Sequence, residues 1–386
     1  MKKKISNMII GMVLAGILVG CGAVADDGTP PRTETESQTQ TESQAESEME
    51  MNTQMETESE VVQEPVITTV TISATGDCAL GALQYHEYSG SFHSYYDSYG
   101  ETYFFDNFNE IFSSDDVTLI NLECVFTTAE DRVEKTFNIK GPMGYAGILK
   151  SSSIEAVSMG NNHTQDYGPE STVDTKNALD AAGVLYAIND TIAYYTTEQG
   201  MVVAMVSANI TGAGNKRDQY LLDGVEEARN QGADVVIACC HWGIEKDNYP
   251  NDYQQNLGHA LIDKGADLVV GNHPHVLQGV EEYNGKMILY SLGNFSFGAN
   301  RNPADKDTVV YQQTFTFVDG ILQSDIDAKI IPARISGHDS YNDYQPALAN
   351  ETQAGKIIQR MNEYSKSYSN VYFDEQGQLI VLEKAD

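Results

Sequence analysis

Asp267-Leu268-Val269-Val270-Gly271-Asn272-His273-Pro274-His275 passes from a strongly apolar run into a turn that carries two imidazoles. A short apolar run of this kind reads as a buried strand of a parallel sheet. Side chains just beyond such a strand stand at the carboxyl edge, where open α/β sheets place their ligands. Pro274 restricts the backbone between the two rings, and two imidazoles held there can bind metal. Four other runs end in the same way. Residues 70–76 lead into Asp77, 117–120 into Asn121-Leu122-Glu123, 156–160 into Asn161-Asn162-His163, and 235–240 into His241-Trp242-Gly243. Five apolar runs, each delivering a carboxylate, amide or imidazole, imply one convergent site.

Between these runs the pattern turns helical. Residues 170–182 carry apolar positions at Val173, Ala178, Leu179 and Ala182 with Gly183 behind them, which predicts a helix stopped by glycine. Residues 252–264 repeat the pattern through Leu257, Ala260, Leu261 and Ile262 and stop at Gly265. New strands follow at 184–187 and 267–270, so the chain alternates β, α, β. Residues 201–208 and 287–292 supply further strands, while 312–318 and 326–331 alternate like an exposed antiparallel pair. The expectation is a mixed sheet system in two layers covered by helices. The tyrosine-rich stretch 85–103 reads as an irregular surface loop or lid.

The first residues read differently. Met1-Lys2-Lys3-Lys4 followed by the short apolar stretch Met8 to Val19 has the form of a secretory signal, too short to span a membrane as a permanent helix. Leu18-Val19-Gly20-Cys21 resembles a bacterial lipobox, which implies cleavage before Cys21 and lipid attachment to its sulfur; an ordinary signal peptide is the alternative. Residues 26–64 hold twelve acidic residues against Arg32 alone, which is −11 of the formal −33. Without aromatic residues, such a segment cannot bury enough surface to fold, and self-repulsion extends it into a tether. The rest of the chain is itself strongly acidic, which argues against nucleic acid as a partner. The expected organisation is a lipoprotein signal peptide at 1–20, a disordered acidic tether at 21–66, a folded domain at 67–332, and a C-terminal extension at 333–386 packing on it.

The strand-end residues form a recognisable kit. Two metal ions about 3.5–4 Å apart can be held by a shared carboxylate within a mixed set of imidazole, amide and carboxylate ligands. Asp77 offers a terminal carboxylate, Glu123 a bridging one, Asn162 an amide oxygen, and His241, His273 and His275 three imidazoles. Mixed nitrogen and oxygen ligands suit one or two divalent transition ions, Zn, Mn, Fe or Co. Singly, each residue also has a plainer role: Asp77 and Asn162 in turns, Glu123 at a solvated strand end. Cys78, Cys124, Cys239 and Cys240 read as small apolar side chains packed under the site, with thiolate ligation or redox pairing as the alternative.

The motifs as a set resemble the CapA-type poly-gamma-glutamate capsule biosynthesis proteins of the calcineurin-like metallophosphoesterase superfamily. The resemblance lies in Gly76-Asp77-Cys78-Ala79-Leu80-Gly81, Asn121-Leu122-Glu123, residues 161–168, His241-Trp242-Gly243-Ile244-Glu245, residues 271–278 and residues 290–295. It implies a four-layer α/β/β/α sandwich with Asp77, Glu123, Asn162, His241, His273 and His275 as the metal set. By the same resemblance, His163 serves the leaving group and Asp166 orients it. Phosphoesterases of the superfamily carry Asp-x-His in the first motif, where this chain has Ala79, and Asp where it has Glu123. A weakened first metal position, a single-metal site and a replacement ligand such as Glu245 all stay open.

Three functions fit. The first is a metal-dependent, phosphoesterase-like hydrolase on the outer face of the cell membrane, lipid-anchored and working in synthesis, export or anchoring of an anionic polymer such as poly-gamma-glutamate. The second is a non-catalytic factor on the same fold that binds the polymer or the capsule synthase components. The third is an esterase for a small phosphate ester. Arg132, Lys135 and Lys140 cluster in sequence and either line an anion path or solvate a loop.

Overall fold

The computed structural model describes residues 63–212 and 217–382. The signal segment, Cys21 and the acidic stretch up to residue 62 lie outside the described residues. Among the described residues no helix is long and apolar enough to cross a membrane.

Strand Ile67–Ala79 is the centre of a nine-stranded sheet. On one side Val117–Leu122, Ala156–Ser158 and Leu185–Ala187 follow in parallel. On the other side the long strand Asp307–Val318 runs antiparallel and pairs in turn with Asp327–Arg334. A six-stranded second sheet holds Val202–Asn209, Val235–His241, Leu268–Asn272 and Lys286–Leu289 in parallel, edged by two antiparallel strands.

Alternation along the strands sorts side chains between two faces. In Val235–His241, Val235, Ile237 and Cys239 enter the apolar cluster between the sheets, whereas Val236, Ala238 and Cys240 face the helices Asp218–Asn230 and Asp252–Lys264. In Val117–Leu122, Val117 and Leu119 face the second sheet; Ile120 and Leu122 face the other helical layer, which includes Gly168–Ala182. The result is the four-layer α/β/β/α sandwich. All four cysteines in it are buried and unpaired among the described residues. Burial pushes their thiols upward, Cys78 to about 12, which fits packing residues and not reactive thiolates.

The helix stops fall where glycine allows a left-handed residue: Gly183 at φ 76° and Gly265 at φ 117°. Asn251 starts the second of these helices through a reciprocal cap with Gln254. Two expectations need correction. Val173 is 56% exposed, and Ser171 and Thr175 occupy the buried face instead, because Thr175 Oγ1 accepts from Phe126 N at 2.9 Å and donates to Ser171 O at 2.7 Å. Residues 85–103 are not an irregular lid: Phe92–Tyr99 is a helix capped by Ser91, followed by a 3-10 helix Glu101–Phe108. Phe92 stacks on Phe104 at 4.0 Å, and Phe104, Phe105 and Phe108 are all buried, so aromatic packing orders the stretch.

Strand Asp327–Arg334 runs through residue 332, so the chain beyond it continues the same sheet. Ala347–Leu348 adds a further short strand, and helix Glu351–Ser365, with its own Asn350 cap, buries Ile357, Ile358 and Met361 in the inter-sheet cluster.

The carboxyl end of the first strand is held tightly. A Cβ on Gly76 would lie 2.2 Å from Gly293 O, the acceptor of the Asp77 N–H at 2.8 Å. Gly76→Ala is therefore expected to cost about 1–3 kcal/mol in urea denaturation, since backbone and not a flexible side chain must move. A change within experimental error would show that this approach is not constrained.

Candidate metal centre

The parallel strands of both sheets end at one rim. In the first sheet Asp77 pairs in register with Asn121 and Asn294; in the second, His241 pairs with Asn272. The first strand slips register on both sides next to Asp77, and such bulges re-aim a side chain. The two rims touch where the His273 N–H lies 3.2 Å from Asp77 Oδ2. Pro274 is flanked by two left-handed residues, His273 at φ 97° and His275 at φ 58°. Non-glycine residues held there cost on the order of 1–3 kcal/mol each and persist where the surroundings over-determine them.

Glu123 lies at the centre, fully buried, with neither carboxylate oxygen hydrogen-bonded among the described residues. Its Oε1 is 3.7 Å from His241 Nε2, 3.7 Å from His275 Nε2 and 3.8 Å from His163 Nε2. These separations are too long for hydrogen bonds. They suit ligands of a common ion, because two bonds of about 2.0–2.2 Å place their ligand atoms roughly 3–4 Å apart. Two sets of ligand atoms lie within 4.8 Å of one another: Glu123, His273 and His275 in one, Asp77, Glu123 and His241 in the other. Glu123 belongs to both. His273 Nδ1 is likewise buried without a partner, and Asn162 Oδ1 stands 3.0 Å from His241 Nε2. An orphaned buried carboxylate ringed by imidazoles and an amide oxygen fits one or two divalent transition ions.

Three asparagines support the centre in roles that the sequence reading does not assign them. Asn121 donates from Nδ2 to Asp77 Oδ1 at 2.8 Å, and Asn161 donates to Asn121 Oδ1 at 3.1 Å and to Leu122 O at 2.7 Å. Asn294 Oδ1 lies 2.9 Å from His275 Nδ1, fixing that ring. Their signal was their place in the strand-end motifs. Lys135 is engaged beside the centre: its Nζ pairs with Asp166, reaches Asn162 O at 2.9 Å and lies 3.2 Å from His163 Nδ1. Lys140 is held by Ala129 O at 2.7 Å and by Glu130, and Arg132 by the Gln84 amide.

Asp166 is buried, accepts from Ile139 N at 2.6 Å, and lies 2.8 Å from His163 Nδ1. Asp166 and Lys135 select opposite tautomers of that ring. With the Nδ1 proton donated to Asp166, Nε2 offers a lone pair to the centre; with Lys135 donating to Nδ1, Nε2 carries the proton. Glu245 lines the same cleft as His163 and His275 and belongs to neither ligand set. Ala79 is buried in the apolar cluster on the helical side, so its position supplies no ligand.

A family profile described as bacterial capsule synthesis protein PGA_cap matches residues 71–299. The chain belongs to the PGA_cap family. The match takes in the whole strand-end centre. The PGA biosynthesis protein CapA of Bacillus subtilis is 33% identical over 208 residues, 48% of this chain and 54% of that protein. The capsule biosynthesis protein CapA of Bacillus anthracis is 29% identical over 226 residues, 52% of this chain and 54% of its own. The chain thus spans about half the length of the curated relatives it matches. A hypothetical protein from Thermus thermophilus superposes with a TM-score of 0.43 and 15% identity, over 68% of this PGA_cap chain and 99% of its own.

Burial and the Asp77 charge push the Glu123 carboxyl well above its usual range. Burial and the neighbouring imidazoles lower His241 and bring His273 to about 4. For His275 burial works against charge, yet Glu123 and Asp77 outweigh it and hold its pKa at about 10. At neutral pH His241 and His273 therefore keep free lone pairs, while a proton resides on the His275 and Glu123 pair. An ion must displace that proton, so affinity for a divalent ion is expected to rise with pH through neutrality, by up to about tenfold per unit for one proton displaced, and to level off near the His275 value. Calorimetric titration with Mn²⁺ in buffers of different ionisation enthalpy should show proton release. Binding without proton exchange would contradict the assignment.

Proposed function

We propose that this chain serves in the synthesis, export or anchoring of an anionic surface polymer of the poly-gamma-glutamate type, through a metal-dependent, hydrolase-type step at the strand-end centre. On this reading it is an extracytoplasmic lipoprotein held to the membrane by lipid on Cys21, working beside the polymer and its synthase. The observation that carries it is the buried Glu123 Oε1, without a hydrogen bond, 3.7–3.8 Å from three imidazole nitrogens. The choice of pathway is supported by the names of the Bacillus relatives, PGA biosynthesis and capsule biosynthesis proteins.

Asp77, Glu123, Asn162, His241, His273 and His275 would hold one or two of Zn, Mn, Fe or Co. A bound ion of this kind polarises an acyl or phosphoryl oxygen and acidifies water at neutral pH. The chain's own groups do the rest. His163, with Lys135 donating to Nδ1, presents a protonated Nε2 at the centre and can deliver that proton to a leaving group. Asp166, pinned by Ile139 N, holds the ring in place. A cleft of about 390 Å³ opens beside His163 and His275, and Leu83, Phe137, Ile139 and Phe297 give it apolar walls.

A second reading is favoured by Ala79. Where catalytic relatives of the superfamily place an imidazole, this chain buries a methyl group, which suits a non-catalytic assembly factor with a structural ion.

Asp77→Ala and His273→Ala are each expected to retain at least about tenfold less metal, measured by elemental analysis of the purified protein. Undiminished metal in both variants would rule out the ligand set. Complementing a deletion strain with the His163→Ala, Asp77→Ala double variant should fail to restore surface polymer. Full restoration would leave the assembly-factor reading.

A further inference from the structure

We infer that Arg360 is a positioning residue for the cleft, through which helix Glu351–Ser365 sets the wall facing the metal centre. The inference rests on the reading that this cleft is the approach to the centre. One wall is built by the segment between strands Asn294–Phe297 and Asp307–Val318, where Ala299, Asn300, Pro303, Ala304 and Asp305 line the same cleft as His163 and His275. The family match ends at residue 299, so most of this wall lies beyond it.

Two groups of contacts hold the segment. On its near side Arg301 donates to Ser89 O at 2.7 Å, and Asn342 donates to Asn300 O at 2.9 Å. On its far side the Arg360 guanidinium grips Asp305 with both nitrogens, Nη1 to Oδ1 at 3.0 Å and Nη2 to Oδ2 at 2.5 Å, while Nη1 also reaches Asp307 Oδ2 at 2.5 Å. A planar fork meeting a carboxylate in two bonds fixes orientation as well as distance. The same helix also contacts a second segment that contributes to the cleft. Arg360 Nε donates to Tyr364 OH at 3.3 Å, and the Tyr364 ring meets Tyr249 edge-on at 5.4 Å. Tyr249 lies in the segment between His241 and Asp252 that also carries Glu245 and Lys246, both lining the cleft. One helix thus contacts both segments. Without the guanidinium, Asp305 and Asp307 would be left as neighbouring unpaired acids.

Hydrogen–deuterium exchange on the full chain tests this, comparing wild type with Arg360→Met, Arg360→Lys and Asp305→Asn, alongside calorimetric Mn²⁺ binding. Amides of 299–305 are expected to exchange about tenfold faster in Arg360→Met and Asp305→Asn, with strands 67–79 and 117–122 unchanged. Arg360→Lys, which keeps a charge without the fork, should fall between, and Mn²⁺ affinity should stay within about twofold of wild type. Unchanged exchange at 299–305, or acceleration spread equally over the strands, would overturn the positioning role. Failure of wild type to bind Mn²⁺ would count against the metal centre and leave the exchange comparison to decide on Arg360.

Discussion

A carboxylate with no hydrogen-bond partner, buried among imidazoles, is the constraint to which the rest of this structure answers. Glu123 ionises poorly where it stands, and among the described residues it meets no backbone amide and no arginine. Leaving such a group buried costs several kcal/mol unless something cationic compensates it. Within the chain itself the compensating charge is His275, whose pKa the surrounding carboxylates hold at about 10. A divalent ion would fill the same electrostatic need, bonded to groups already turned toward it.

The fold is arranged to present that need at one place. The candidate ligands leave five parallel strands, with His273 and His275 following the same one, and both sheets run their parallel strands toward the same rim. The sandwich core fixes the two rims against each other; within the first rim Asn121 holds Asp77 and Asn161 holds Asn121, while Asn294 crosses to His275 of the second. His273 and His275 adopt left-handed backbone on either side of Pro274, so local strain is accepted at the point where two rings must enter one centre. His163, Asp166 and Lys135 form a separate polar group alongside, buried enough that proton position on one imidazole depends on which neighbour it faces.

Much of this was legible in the residues. Apolar runs ending in Asp77, Glu123, His163, His241 and His273 announced parallel strands with a shared edge, because strands buried on both faces read as short, near-continuous apolar runs. Helix Asp252–Lys264 was readable to the residue from its apolar spacing and its stop at Gly265. The strand read through Leu292 stops at Leu289, since Tyr290 to Leu292 are buried yet leave the ladder, with Leu292 bridging only to Leu277. The helix Phe92–Tyr99 was hidden because tertiary aromatic contacts, and not a periodic apolar face, order it. The ion pairs of Lys135 and Arg360 carried no local signal: their carboxylate partners lie 31 and 53 to 55 positions away, and only the folded chain brings those charges together.

The most direct measurement is anomalous diffraction at a metal absorption edge from crystals of the protein grown with Mn²⁺ or Zn²⁺. A peak within about 2.0–2.2 Å of Glu123 Oε1 and of the facing imidazole nitrogens is the predicted result. A well-ordered centre with no peak there, and Glu123 instead hydrogen-bonded to protein or water, would contradict it.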